Sequence, residues 1–153
     1  MIQRIQSLYL IVAITLLNFM IFFPISELIS NSTLVVYEFG FTGIKGEGEI
    51  NNVFSVLPYT LLLSLCLFIL VATLFLFKKR VVQTRLTIFN IVLLVGLQGL
   101  AYYYTTAAGT ELDANYSFTI LFIFPILAAI LSYLALRAII KDELLIRSLN
   151  RLR

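Results

Sequence analysis

The chain is expected to fold as an all-α integral membrane protein. The expected architecture is a four-transmembrane-helix bundle with both termini in the cytoplasm, a small extracytoplasmic loop or β-hairpin, and a short basic C-terminal helix. Three observations predict this. First, 61% of the 153 residues are hydrophobic and only 12% are charged, against about 25% charged in soluble domains. The mean hydropathy of +1.02 is more apolar surface than a water-soluble fold of this length can hide. Second, four long stretches carry almost no charge. Third, ten of the eleven Lys and Arg residues fall on one side of those stretches and six of the eight acids on the other. Only four spans with cytoplasmic ends give that split. The chain is therefore read as a single membrane domain over 1–153.

The first span is placed at about 5–23. Ser7 to Phe23 is uncharged, and with its flanks reaches the roughly 20 residues a bilayer needs. A signal peptide is the rival, but Phe22, Phe23 and Pro24 stand where a small-x-small cleavage site would follow, so an uncleaved helix is expected. The outer loop 24–52 holds Glu27, Glu38, Glu47 and Glu49 against Lys45 alone. Thr33 to Phe41 is β-branched and aromatic, a strand signal. The glycines at 40, 43, 46 and 48 mark turns and lack the Gly-Lys-Ser/Thr of a phosphate loop. Asn31-Ser32-Thr33 is a glycosylation sequon, relevant only in a eukaryotic source.

The second span, about 53–77, is uncharged, with Pro58 near its start where a missing amide costs little. The turn 78–85 carries Lys78, Lys79, Arg80 and Arg85 and no acid. The third span, about 86–104, ends on Tyr102-Tyr103-Tyr104; with Tyr116 these suit an interfacial aromatic belt across the outer loop 105–115. The fourth span, about 116–140, contains Pro125, expected to kink it and free the Leu121 carbonyl. In the tail 141–153, Leu145, Leu149 and Leu152 share one helical stripe with Arg147 and Arg151 roughly opposite, a candidate surface for headgroups or a cytoplasmic partner. Lys141-Asp142-Glu143-Leu144 spells a luminal retention signal but is internal, so it is not read as one.

Function is less legible. The chain has no His and one cysteine, Cys66. Imidazole-ligated haem, common zinc sites, His acid–base chemistry and intrachain disulfides are therefore excluded. No cofactor, catalytic residue or metal ligand is expected; the outer acids lack EF-hand spacing. Nucleic acid is not an expected partner, because the positive charges follow topology. Arg4, Lys78, Lys79, Arg80, Arg85, Arg137 and Lys141 are assigned to orientation and attraction to lipid headgroups.

Within the spans the polar residues are Thr15, Asn18, Ser64, Thr73, Asn90, Gln98 and Ser132, with Arg137 near an end. Counting from the span ends puts Asn18 level with Gln98 and Thr73 level with Asn90, which predicts two interhelical hydrogen bonds. Gly96, Gly99 and Ala101 offer a small-residue face for packing within the chain. With no carboxylate at membrane depth, a non-enzymatic accessory or scaffold subunit is favoured, a small oligomeric carrier or channel comes second, and a membrane enzyme third.

The opening Met1-Ile2-Gln3-Arg4-Ile5-Gln6-Ser7-Leu8-Tyr9-Leu10 and the closing Asp142-Glu143 and Ile146-Arg147-Ser148-Leu149-Asn150-Arg151-Leu152-Arg153 resemble the ends of a family from Bacteroidota, small four-span inner-membrane proteins of unknown function. The resemblance extends over the long first outer loop and the basic turn. It implies a bacterial inner-membrane protein with outer loops in the periplasm, and implies no activity, cofactor or catalytic residue.

Overall fold

A computed structural model describes residues 3–30, 35–46, 56–76 and 79–151, with the side chains of Gln3, Arg4 and 145–151 outside the description. Four helices dominate: α1 Gln3–Phe22, α2 Leu57–Phe75, α3 Arg80–Glu111 and α4 Phe124–Arg151. Each contains a stretch long and apolar enough to cross a membrane, and only 28–33% of the residues in those stretches are buried within the chain. The outward faces are apolar too, as shown by exposed Phe68, Phe75, Val92 and Val95.

The buried positions explain how the helices associate. On α1 they are Gln6, Leu10, Ala13, Leu17 and Met20; on α2 Tyr59, Leu63, Cys66, Leu70 and Thr73. On α3 they are Gln83, Thr87, Asn90, Leu94, Leu97, Ala101, Thr105 and Ala108, and on α4 Ala128, Ser132, Ala135, Ile139 and Asp142. With Ile69, Gly109 and Leu136 also buried beside them, these series advance in steps of three and four, the a/d pattern of a bundle seam. Small residues recur in the seam, which lets the helix backbones approach closely. α1 packs on α4 and α2, and α3 on α2 and α4, so α1 and α3 lie on a diagonal.

The sheet is larger than the expected hairpin. Strands β1 Ser26–Ser30, β2 Val36–Gly40, β3 Gly43–Gly46 and β4 Ala114–Phe118 form one antiparallel sheet in the order β3-β2-β1-β4. It joins the α1–α2 connection to the α3–α4 connection, pairing Ser26 with Phe118 and Ser30 with Ala114. Alternation decides the faces: Ser26, Leu28 and Ser30 point into the bundle while Glu27 and Ile29 point out. The row Ile44, Phe39, Ser26 caps the bundle core, with Phe39 against Tyr59 at 5.3 Å and Tyr104 at 6.3 Å between ring centroids. The outer row Lys45, Glu38, Glu27 keeps the charges outside. Gly43, at φ 134°, closes the β2–β3 turn in a conformation side chains rarely adopt.

Several expectations are corrected. The helix that contains the expected third span runs past 86–104 at both ends: α3 has 32 residues and is about 48 Å long at 1.5 Å per residue. Most of the basic turn 78–85 is thus the start of α3, which carries Arg80 and Arg85; Lys78 lies outside the described residues. The expected loop 105–115 is helical to Glu111, then turns through Asp113 in the left-handed region at φ 44°, which Asp tolerates.

The expected fourth span at 116–140 begins as strand β4 and a 3-10 turn, Ile120–Ile123, before α4 starts at Phe124. Pro125 therefore sits in the first turn of α4, where proline costs little, and does not kink a continuous helix. The Leu121 carbonyl is not freed, since the Phe124 amide donates to it. Gly96 and Gly99 have open space where a Cβ would stand, so they make no close packing within the chain; Ala101, on the other side of α3, is fully buried. α4 runs unbroken from Phe124 through the expected tail to Arg151.

Candidate functional site

Three places concentrate chemistry: the polar positions of the seam, a groove at the basic end, and an aromatic ledge at the sheet end.

In the seam, neither expected interhelical pair forms. Asn18 is exposed and donates to the Ile14 carbonyl of its own helix at 3.0 Å, and α1 and α3 are diagonal, so Gln98 has no route to it. Thr73 donates to the Ile69 carbonyl at 2.7 Å. The residue level with it on α3 is Gln83, whose Nε2 donates to the Thr73 carbonyl at 3.3 Å. The depth count failed because α3 starts at Arg80, which carries Asn90 deeper into the bundle than a helix starting at 86 would. Asn90 and Ser132 are fully buried. Both ends of the Asn90 and Gln98 amides, the Ser132 hydroxyl and the Tyr59 hydroxyl lack partners among the described residues. Thr15 and Ser64 bond to their own helices.

Side-chain pairs tie the elements together near both ends instead. Ser26 Oγ and Thr105 Oγ1 lie 3.1 Å apart, and Thr105 donates on to the Ala101 carbonyl, so Ser26 is the donor to Thr105. At the other end Gln6 Nε2 donates to Asp142 Oδ2, with both residues only 7% exposed. Sequence reasoning missed this tie, although Gln6 and Asp142 continue the inward stripes of α1 and α4.

The basic end gathers Lys79, Arg80, Arg85, Arg137 and Lys141; Arg80 has one buried guanidinium nitrogen without a partner among the described residues. Between α1 and α4 there, a groove of about 530 Å³ is lined by Ile5, Tyr9, Leu134, Arg137, Ala138 and Lys141 among others. Leu145, Leu149, Arg147 and Arg151 lie on the helical backbone of α4, but their side chains, and Leu152 entirely, fall outside the described residues. A second groove of about 420 Å³, between α3 and α4, is apolar apart from Gln98 on one wall, with Pro125 opposite.

At the sheet end β4 is a free edge among the described strands. Tyr102 stacks on Phe118 at 6.1 Å, Tyr116 meets Phe118 edge-on at 5.5 Å, and Phe118 lies 4.2 Å from Phe122. Tyr102, Tyr103 and Tyr116 are exposed, while Tyr104 turns inward to Phe39. No group of three His, Cys, Asp or Glu is close enough to hold a metal among the described residues.

The model of a family described as a domain of unknown function, DUF4293, matches residues 2–152. The chain belongs to this family. No curated protein and no solved structure matches it. Family membership thus carries the whole chain and assigns it no chemistry.

Proposed function

We propose that the chain is a non-enzymatic integral protein of the bacterial inner membrane, an accessory or scaffold subunit with both termini in the cytoplasm and the sheet in the periplasm. The four apolar helices support embedding, and the collection of cations at one end supports the orientation. The observation that carries the accessory role is the β4 edge. The outer edge of an end strand presents backbone donors and acceptors. Here it is continuous with exposed Tyr102, Tyr116 and Phe118, an aromatic cluster of the kind that anchors protein interfaces. The tail, with Leu145, Leu149 and Leu152 against Arg147 and Arg151, is the second surface.

Photo-crosslinkers at Tyr116 and, as a mid-span control, at Val92 test this in living cells. One protein partner captured from Tyr116, recovered reciprocally and absent from Val92, is the expected result. Recovery of the chain alone, as one size in mild detergent, removes the accessory role. Orientation is tested in a Cys66→Ala background. Cysteine at Glu38 should react with an impermeant maleimide in cells with a permeabilised outer envelope, and cysteine at Lys79 only after lysis. The reverse pattern overturns the orientation.

The unpartnered polar groups at Tyr59, Asn90 and Ser132 favour the second reading, a polar path through an oligomeric carrier or channel. Cys66, fully buried in the same seam, is a native probe of such a path. Labelling by a small charged thiosulfonate reagent in the folded protein would favour the carrier, and an inert Cys66 the accessory subunit.

A further inference from the structure

We infer that the groove between α1 and α4 at the basic end is a binding site for one anionic glycerophospholipid, its phosphate held by Arg137 and Lys141 and an acyl chain lying on the apolar floor. This rests on the membrane reading above but not on the accessory role.

Arg137 and Lys141 stand four residues apart on one face of α4, and both are exposed. Their Cα atoms are separated by about 6 Å along the axis, one turn. Neither makes a hydrogen bond or ion pair with the described residues. The acid next to them, Asp142, does not compete, because its carboxylate is buried in the bond from Gln6. Glu143 has its own partner and does not line the groove. Two cations therefore face the groove with no acid lining it.

The remaining walls decide which anion. Ile5 is 51% exposed and Leu134 37% exposed, and Ala138 lies between the two cations along α4. A free phosphate would satisfy the charges and leave these apolar residues uncovered. A phospholipid satisfies both, and the groove sits at the right depth: the apolar stretch of the fourth helix ends at Leu144, one turn beyond Lys141. Basic pockets between helices on the cytoplasmic side are the usual receptors for anionic headgroups. The two cations divide the work. The Arg137 guanidinium can grip both non-bridging phosphate oxygens with a planar fork, and the Lys141 ammonium supplies a point charge one turn nearer the headgroup surface. Tyr9, on the α1 wall, presents a hydroxyl suited to the lipid's ester region.

The test uses the full chain in mild detergent, titrated by native mass spectrometry with phosphatidylglycerol or with phosphatidylcholine of the same acyl chains. The wild type is expected to take up one phosphatidylglycerol first, with phosphatidylcholine needing about tenfold more lipid, and Arg137→Gln with Lys141→Gln should abolish that preference. Arg85→Gln, a basic residue of the same end outside the groove, should leave it intact. Ala138→Trp fills the groove without touching the charges and should lose the tight phosphatidylglycerol as well; it answers the question if the double variant fails to fold. Unchanged preference in the double variant, equal binding of the two lipids, or insensitivity to Ala138→Trp overturns the site. Displacement of the lipid by inorganic phosphate at millimolar concentration overturns the lipid in favour of a free anion. Release of the wild type from membranes by alkaline carbonate is read separately, and would sink the membrane reading itself.

Discussion

Gln6→Leu should destabilise the bundle by breaking a buried bond between α1 and α4. Gln6 and Asp142 are 136 positions apart and the bond between them is buried, each residue keeping only 7% of its surface. Hydrogen bonds to charged groups contribute about 1.5–3 kcal/mol, and removing one partner leaves the other buried and unsatisfied. The loss expected for Gln6→Leu is therefore about 2–3 kcal/mol, and Asp142→Leu should lose a similar amount by stranding the Gln6 amide. The double variant replaces the polar pair by two apolar side chains of similar shape, and should be more stable than either single variant. Equilibrium unfolding in mixed micelles, followed by tyrosine fluorescence because the chain has eight Tyr and no Trp, measures all four proteins. A coupling of about 1.5–3 kcal/mol is expected; additive losses, within the roughly 0.5 kcal/mol seen for independent sites, would show that the bond does not tie α1 to α4.

Gly109→Ala should cost about 1–3 kcal/mol as an overpacked site, because its Cβ would stand 2.9 Å from Tyr116 Cδ1 and 3.3 Å from the Ala114 carbonyl oxygen; adding Tyr116→Ala should return part of the loss in the same unfolding assay. Gly96→Ala and Gly99→Ala, with open space at both positions, should instead stabilise the chain, each by up to about 1 kcal/mol of helix propensity. Asn90→Leu should raise stability by about 1–3 kcal/mol, since neither end of that buried amide has a partner among the described residues; a fall would reveal an ordered water or ligand there. Thr105→Val should lose about 1–3 kcal/mol by leaving the Ser26 hydroxyl buried and unpaired, with Ser26→Ala in the same background restoring much of it.

The four helices were legible because apolar spans announce themselves locally, by length and by lack of charge. Their ends were not, because charge is a poor guide to where a helix starts: Arg80 and Arg85 are basic and helical at once. That error propagated into the depth count, matching Thr73 with Asn90 instead of Gln83. The strand signal at Thr33–Phe41 contains β2, while β1 and β4, of the same five-residue length, lie outside it. Ala114–Phe118 is a strand through its pairing with β1, a partner far away in sequence that no local pattern names. The Gln6–Asp142 tie had a readable signal. Extending the inward stripe of α1 back from Leu10, and that of α4 forward from Ile139, lands on one polar residue each.

The bundle is fastened at both ends by contacts between its first and last parts, and this bears on which motions it can make. At the sheet end β4 pairs along all of β1, and Ser26 bonds to Thr105. At the basic end Gln6 bonds to Asp142. An alternating-access carrier opens one end at a time by rocking one helical half against the other. Parting α1 from α4 at the basic end would break the Gln6–Asp142 bond. Parting them at the sheet end would break the β1–β4 ladder, whose Leu28 and Ala114 belong to the same core as Tyr59 and Leu63. A scaffold needs neither motion, and it benefits from rigidity because a fixed β4 edge and a fixed aromatic ledge can be matched by a partner without an ordering cost. Inertness of Cys66, together with loss of stability on cutting either tie, is the pattern this architecture leads to.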